Sequence, residues 1–228
     1  MKQLTPEEIQ HNWGNLRQLI DATFSGERLE RLNEMYDFFE ERMCLAPASG
    51  REHFHNAHPG GYVEHVLHIT QFSYQIYKLW EQNGATIDNF TVEELLFAAL
   101  HHDLGKVGNL VEDNYIENDS DWHRKNQGLI LQHFGVKMTE TEFIGMRLAD
   151  GLYEEANKGY YMNWSKDNQL STNLAYILHQ ADMMASKIEY DQWARGDHDL
   201  KVDKVKEEKK KTEQSKAANQ AFKELFGE

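Results

Sequence analysis

Three threonines that each stand three residues before a glutamate constrain the fold of this chain more than any other feature. They occur in Thr5-Pro6-Glu7-Glu8, Thr91-Val92-Glu93-Glu94 and Thr139-Glu140-Thr141-Glu142. In such a capping box, the threonine hydroxyl and the glutamate carboxylate accept hydrogen bonds from backbone N–H groups that a helix start leaves unpaired. Proline at the first helical position reinforces the first box. Each box therefore predicts a helix that begins at the residue after its threonine.

Apolar residues at helical spacing predict further helices between these starts. One runs from about Glu27 to Leu45, and the next begins near Tyr62 and ends at Asn83-Gly84. Another begins at Asn118-Asp119-Ser120 and ends at about His133. A long late helix from about Asn173 to Trp193 is predicted to turn these residues inward: Leu174, Ile177, Leu178, Ala181, Ala185 and Ile188. Because no segment alternates as a strand does, the sequence predicts an all-α orthogonal bundle and not an α/β fold.

Length and composition suit one large domain or a domain with appendages. The chain has 228 residues, of which 40% are hydrophobic and 11% aromatic, enough to bury a core. We expect N-terminal helices over residues 1–50 to pack on a core over residues 51–198, followed by a charged helical tail over residues 199–228. Its few apolar anchors are Phe222, Leu225 and Phe226. The tail is therefore expected to supply solubility, or packing on a neighbouring subunit, rather than chemistry.

Charge and hydropathy exclude several classes of function. The formal net charge of −14 argues against tight nonspecific binding to nucleic acid, which needs clustered Lys and Arg. No apolar run approaches the roughly 20 residues that span a bilayer, and the first residues form no apolar signal region. Cys44, the single cysteine, cannot form an internal disulfide and is expected to be an inert reduced thiol. These features predict a soluble, cytoplasmic protein without a membrane partner.

His101-His102-Asp103 ends a strongly apolar helical segment and is followed by Leu104-Gly105-Lys106. Hard charge at the end of a buried helix is costly unless a metal or a partner compensates it. An imidazole beside a carboxylate suits a divalent metal that activates water. Two further ligand-type residues have comparable settings, since His65 follows a double glycine and Asp182 flanks the apolar late helix. Taken alone, Asp182 also fits a simple ion pair with Lys or Arg.

The order His65, His102-Asp103, Asp182 resembles the signature of the HD-domain metal-dependent phosphohydrolases. Two stretches carry the likeness: Pro59-Gly60-Gly61-Tyr62-Val63-Glu64-His65 and Leu100-His101-His102-Asp103-Leu104-Gly105-Lys106. It covers roughly residues 50–195. The double-glycine form is similar to the HD domain attached to some 3′–5′ exoribonucleases. The whole chain also resembles stand-alone HD hydrolases carried by tailed bacteriophages, for which the cytoplasm would be that of the host.

The resemblance implies a helical fold and a divalent metal held by His65, His102, Asp103 and Asp182. The ion is expected to be Mn, Fe, Co, Zn or Mg, bound singly, with a second ion left open. Asp103 is also expected to orient or deprotonate the attacking water. His101 stands where the family usually has an apolar residue, so it is expected to pack or to support the ligands.

Other residues are expected to act on the substrate. Lys106 is the first candidate for a phosphate-binding cation. Arg124 and Lys125 are the next candidates, with a solvated helix start as their alternative. His123 and His133 fall in the interval where some family members bind a second metal, and we expect His123 to be catalytic and His133 to contact substrate.

One departure from the family pattern speaks against a second metal. Where exoribonuclease-like relatives carry histidines before a glycine, this chain has Ala149-Asp150-Gly151, which leaves Asp150 as a substitute ligand or a substrate contact. Aromatic residues follow it, for which core packing is the default interpretation and a base-stacking wall the alternative: Tyr153, Tyr160, Tyr161 and Trp164. Three loop histidines are interpreted as non-ligands, one of which can reach substrate: His53, His55 and His58.

These features predict a metal-dependent phosphohydrolase that acts on a nucleotide or another small phosphorylated substrate. Two alternatives stay open. One is a 3′–5′ exonuclease or cyclic-nucleotide phosphodiesterase, which the acidic composition disfavours because no basic groove is visible. The other is a non-catalytic interaction protein with the same fold, which the intact ligand set disfavours. The base, the sugar, the number of phosphates and a homo-oligomeric state are left open.

Overall fold

The computed structural model describes residues 3–50, 54–108, 110, 120–162, 165–196 and 223; for residues 120–125, 168 and 193–196 it describes the backbone only. Eight α-helices lie in these ranges: α1 Pro6–Thr23, α2 Gly26–Leu45, α3 Gly61–Gln82, α4 Val92–His101, α5 Ser120–His133, α6 Glu140–Arg147, α7 Glu155–Tyr161 and α8 Leu174–Gly196. Short 3-10 turns cover Leu104–Val107, Gly151–Tyr153 and Lys166–Asn168. No strand occurs in the described ranges, which confirms the all-α prediction.

All three predicted capping boxes are present. The hydroxyls of Thr5, Thr91 and Thr139 accept the backbone N–H three residues later, at 3.2, 3.1 and 3.2 Å. The matching glutamate carboxylates accept the backbone N–H of each threonine at 2.8 Å. Helices α1, α4 and α6 therefore begin where the sequence predicts.

Helices α3 and α4 pack against each other. The N-terminal helices α1 and α2 both lie on α3, and α6 lies on α4. The largest fully buried side chains come from α1 to α4: Leu16, Ile20, Leu32, Met35, Tyr36, Phe39, Met43, Tyr62, Ile69, Leu95, Phe97 and Leu100. Burial of a large apolar side chain stabilises the fold by about 1.5–3 kcal/mol. This core fixes α3, on which His65 lies, and α4, which His102 and Asp103 directly follow.

A buried ion pair joins α2 to α6. The Glu142 carboxylate is fully buried, and Arg28 donates to it at 2.6 Å and to Glu93 at 3.2 Å. The same guanidinium lies 4.1 Å from the centroid of the Phe97 ring. Because a buried carboxylate needs both a countercharge and hydrogen bonds, Arg28 and the capping box of α6 together hold Glu142 in the core.

The inward face of α8 differs from the prediction at its C-terminal end. Ile188 is 38% exposed, whereas its neighbour Glu189 is 1% exposed. Ala181 and Ala185 are buried as predicted, and Glu189 continues their spacing of four residues. The predicted inward position of Ile188 is therefore wrong, because two histidines of α3 hold the Glu189 carboxylate inside.

Backbone contacts divide the chain into Lys2–Trp193 and a second unit of Ala194–Glu228 with Met1. Of the second unit the structure describes only the last residues of α8 and Lys223, so the predicted tail lies outside the described residues except for Lys223. In the parts of the chain that are described, no helix combines the length and apolarity needed to cross a membrane.

Candidate metal centre

The double glycine shapes the turn that leads into α3. Gly60 has φ 81°, in the left-handed region that favours glycine. Gly61 lies against the Asn56 carbonyl oxygen, and a Cβ added there would overlap with that oxygen. The same carbonyl accepts the backbone N–H groups of Ala48 and His58, at 3.0 and 2.9 Å. The close approach fixes the loop before α3 and places His65 on the second turn of the helix.

His102 follows the last residue of α4, where a backbone hydrogen bond orients its ring. His102 Nδ1 lies 2.8 Å from the Ala99 carbonyl oxygen, so this nitrogen carries the hydrogen that is donated. His102 Nε2 is buried and has no hydrogen-bond partner among the described residues. A buried polar atom without a partner is rare in folded proteins, and here the atom lies 3.5 Å from Asp103 Oδ2.

The four predicted metal ligands converge. Asp103 Oδ2 lies 3.5 Å from His102 Nε2 and 3.8 Å from His65 Nε2. Asp182 Oδ1 lies 3.6 Å from His65 Nε2 and accepts a hydrogen bond from Ser186 Oγ at 3.2 Å. Ligand atoms of His65, His102 and Asp103 all lie within 4.8 Å of one another.

These separations fit a shared cation better than a hydrogen-bond network. They exceed hydrogen-bond lengths. Two ligands at about 2.1 Å from one ion stand roughly 3.0–4.2 Å apart, depending on the angle between them. The observed 3.5–3.8 Å lie within this interval. Together with the unpaired His102 nitrogen, this spacing shows that the residues can hold a divalent metal ion.

Glu189 is the site residue that sequence reasoning missed. Its carboxylate lies 2.8 Å from His65 Nδ1 and 2.7 Å from His68 Nδ1. His55, His65 and Glu189 also offer ligand atoms within 4.8 Å of one another, but a hydrogen bond already joins His65 to Glu189. The available signal was its position seven residues after Asp182, which puts both carboxylates on one face of α8.

The charges at the centre are strongly coupled. Burial works to raise the pKa of Asp103, but Lys106 and His102 outweigh it and hold that pKa well below its usual range. Burial works to lower the pKa of His65, but Glu189 and Asp182 outweigh it and raise that pKa to about 10. Without a metal, His65 is therefore an imidazolium ion surrounded by carboxylates.

Lys106 pairs with the proposed ligand Asp103 itself. Lys106 Nζ donates to Asp103 Oδ2 at 2.5 Å and to the Ala48 carbonyl at 3.0 Å. The predicted phosphate-binding cation thus lies beside the proposed metal ligands, where it offsets the negative charge of the Asp103 carboxylate. It also lines the cavity described next.

A cavity of about 580 Å³ opens from the ligand cluster. Its lining includes His65, Asp103, Asp182, Lys106 and Asp150, and also residues that the sequence did not single out for this site: Phe54, Met183, Ser186, Lys187 and Tyr190. The predicted aromatic residue Tyr153 also belongs to the lining and is 77% exposed. Predicted ligands, two lysines and aromatic side chains from distant segments of the sequence therefore line the same cavity.

His55 is the loop histidine that reaches this cavity. Its ring centroid lies 4.5 Å from that of His65, and its Nε2 is buried without a hydrogen-bond partner in the described part of the chain. Burial, with some repulsion from His65, lowers the pKa of His55 to about 3, so the ring is neutral. His58 instead lies beside the Pro59 carbonyl and 3.7 Å from Glu64, and His53 lies outside the described residues.

Other predicted site residues are distributed differently. His133 is exposed, and its ring contacts Phe134 rather than the cavity. The side chains of His123, Arg124 and Lys125 lie outside the described residues, so their predicted roles stay predictions.

His101 and Tyr161 belong to the packing around the site. Tyr36 Oη lies 3.2 Å from His101 Nε2, and burial lowers the pKa of His101 to about 3. The Tyr161 hydroxyl lies 2.8 Å from the Leu148 carbonyl oxygen. Tyr160 is partly exposed, and Trp164 lies outside the described residues. Gly151 is required where it stands, because a Cβ there would overlap with the His179 ring.

No protein-family model matches the chain, and neither the curated proteins nor the solved structures include one that matches it.

Proposed function

We propose that the protein is a metal-dependent phosphohydrolase that acts on a nucleotide. The observation that carries this proposal is the cluster of His65, His102 and Asp103, of which His65 and Asp103 line the cavity. When bound, a divalent ion supplies Lewis-acid polarisation of a phosphoryl oxygen and lowers the pKa of a water molecule. Asp182 would complete the ligand set through the oxygen that faces His65.

The residues around the cluster suit attack on a phosphoryl group. Asp103 has a strongly lowered pKa, so it stays a carboxylate at neutral pH and can orient a water molecule by accepting a hydrogen bond from it. Lys106 supplies positive charge next to it, and Lys187 adds a second ammonium group at the cavity wall. Positive groups placed before the reaction stabilise the charge that develops on a transferring phosphoryl group.

The size and the aromatic lining of the cavity suit a substrate that has one flat apolar group. Its volume of about 580 Å³ falls within the range of pockets for small molecules and cofactors. Phe54, Tyr153 and Tyr190 line it and are exposed, although each comes from a different segment of the chain. Aromatic side chains at a phosphate site favour nucleobases, because stacking on such rings contributes about 1–3 kcal/mol per base. The chain's acidity favours a mononucleotide over a polynucleotide.

The test is a screen of purified protein, stripped of metal and reloaded in turn with Mn²⁺, Fe²⁺, Co²⁺, Zn²⁺ and Mg²⁺. Substrates are nucleoside mono-, di- and triphosphates, cyclic nucleotides and short oligonucleotides, scored for phosphate, pyrophosphate, triphosphate or nucleotide release. We expect turnover of a mononucleotide, abolished in Asp103→Ala and weakened in Tyr153→Ala.

Two outcomes would contradict the proposal. Preferred cleavage of oligonucleotides or cyclic nucleotides would replace it with the diesterase alternative. No turnover with any metal, in protein that still binds the ion, would favour the non-catalytic alternative.

A further inference from the structure

We propose that Glu189 is a positioning residue for the metal centre, because its carboxylate, held between His65 and His68, fixes the His65 ring with Nε2 facing the other ligands. The inference rests on the proposed metal centre but not on the reaction that the centre performs. It assigns a role to a residue that touches neither metal nor substrate and acts only through His65.

Three geometric observations support this assignment. Glu189 is 1% exposed, and each of its carboxylate oxygens has a different imidazole partner, at 2.8 Å for His65 and 2.7 Å for His68. Burial of a carboxylate costs several kcal/mol unless its oxygens are paired. The fold therefore commits this buried charge entirely to two rings of α3.

The hydrogen-bond pattern determines which nitrogen of His65 is left for a ligand. An ionised carboxylate only accepts hydrogen bonds, so both Nδ1 atoms must carry a hydrogen. When His65 is neutral, its lone pair is then on Nε2, the atom that lies 3.6 Å from Asp182 and 3.8 Å from Asp103. A carboxylate behind a ligating histidine orients the ring and raises its basicity.

His68 anchors the second oxygen of Glu189 without touching the ligand cluster. It lies three residues after His65 on α3, its side chain is 32% exposed, and its ring stacks on Phe72 at 6.2 Å. With one oxygen held by His68, Glu189 cannot rotate away from His65. The replacement of His68 therefore weakens the positioning while every proposed ligand stays in place.

The experiment measures Zn²⁺ affinity by calorimetry for the full chain and four variants. Glu189→Ala should lose roughly 10–100-fold in affinity, the effect typical of lost outer-shell partners. Glu189→Gln should lose less, because its amide oxygen can still accept from His65 while its NH2 group faces His68. His68→Ala should fall between the full chain and Glu189→Ala. Glu81→Gln, which changes an exposed carboxylate paired with Lys78 on α3, is the matched control and should bind as the unmodified chain does.

A second readout separates positioning from general loss of structure. In the Zn²⁺-loaded protein, the His65 Nδ1 hydrogen should give a downfield resonance that persists in Glu189→Gln and His68→Ala. That resonance should vanish in Glu189→Ala while the resonances of His102 are kept.

Each result has a defined meaning. Unchanged affinity and an unchanged His65 resonance in both Glu189 variants would overturn the positioning role. If Glu189→Ala does not fold, the isosteric Glu189→Gln decides, and unmodified affinity there overturns the role. Failure of the unmodified chain to bind any divalent ion would remove the metal centre and this inference together. Metal binding without turnover would remove the proposed reaction and leave Glu189 in place.

Discussion

When the metal-free protein, stripped by a chelator, binds a metal ion, His65 should release a proton. Burial favours the neutral ring, but Glu189 and Asp182 outweigh it and raise the pKa of His65 to about 10. Between pH 7 and 8 the ring is therefore an imidazolium ion, with a hydrogen on the nitrogen that an ion must bind. A ligating histidine must be neutral, so each metal ion that binds displaces one proton into the solvent.

The free-energy cost of removing this proton follows from the difference between the pKa of His65 and the pH of the experiment. At pH 7 the difference is about three pKa units, and each unit corresponds to 1.36 kcal/mol. Deprotonation thus costs about 4 kcal/mol of binding free energy at pH 7, and apparent affinity should rise about tenfold per pH unit up to pH 9. The pKa of His102 is also raised, since Asp103 outweighs the effect of burial, so more than one proton is released toward acid pH.

Stability should depend on pH in opposite directions in the metal-free and the metal-loaded protein. In the metal-free protein, the pKa of His65 is higher in the folded than in the unfolded state, so the imidazolium contributes its full stabilisation below pH 6.5. That contribution disappears as the pH rises through about 10. In the metal-loaded protein the His65 ring is neutral, so its stability relative to the metal-free protein should increase as the pH rises from 6 to 9.

The assay is calorimetric titration of the metal-free protein with Mn²⁺ at pH 7 and 8, in buffers of different ionisation enthalpy. The slope of the observed enthalpy against buffer enthalpy gives the number of protons released. We expect about one at pH 8 and a slightly larger number at pH 7. A value near zero at pH 8 would refute the reasoning, because it would mean that His65 is already neutral beside two carboxylates.

Three further predictions concern single side chains. Asp103→Ala should lose its metal in elemental analysis, since it removes the carboxylate oxygen that lies within 3.8 Å of the Nε2 atoms of both His65 and His102; full occupancy in that variant would contradict the ligand assignment. Lys106→Ala should raise KM or lower kcat for the hydrolysed nucleotide, and unchanged values of both would exclude it from the chemistry. Arg28→Leu should destabilise the fold by on the order of 3 kcal/mol in urea denaturation, because it leaves the buried Glu142 carboxylate without its countercharge. The double variant with Glu142→Gln should recover part of this loss, and an additive loss would argue against the pairing.

Helix starts were predictable because their determinants are local. Each capping box is written within four residues, and Thr5, Thr91 and Thr139 all form the expected bonds. The two motif segments likewise identify His65 and His102-Asp103, whose atoms the fold brings within 4.8 Å. Polar, ligand-type side chains at the end of an apolar helix can be recognised in the sequence because they interrupt a run of apolar residues.

Glu189 could not be predicted in the same way, because its partners lie more than 120 positions away in the sequence. A glutamate near the end of a helix is usually solvated, and the adjacent Ile188 fits an apolar stripe better. The pairing of Glu189 with two imidazoles reverses this preference, since two short hydrogen bonds offset the cost of burying its charge. Whether Ile188 or Glu189 faces inward depends on the side chains of α3 that lie opposite. The periodicity of apolar residues along α8 alone does not contain this information.

The contact between Gly61 and the Asn56 carbonyl would give this glycine an influence on the proposed metal centre, although Gly61 is not itself a proposed ligand. Gly61 stands one helical turn before His65, so the two residues lie on the same face of α3. An alanine at position 61 would force the loop and the helix start apart. Because a misplacement of about 1 Å can cost roughly 10²-fold in activity even when it originates far from the chemistry, substitution of this glycine should resemble damage to a ligand. In a mutational scan scored by activity, position 61 would then be grouped with His65 and His102, although its residue has no side chain to contribute.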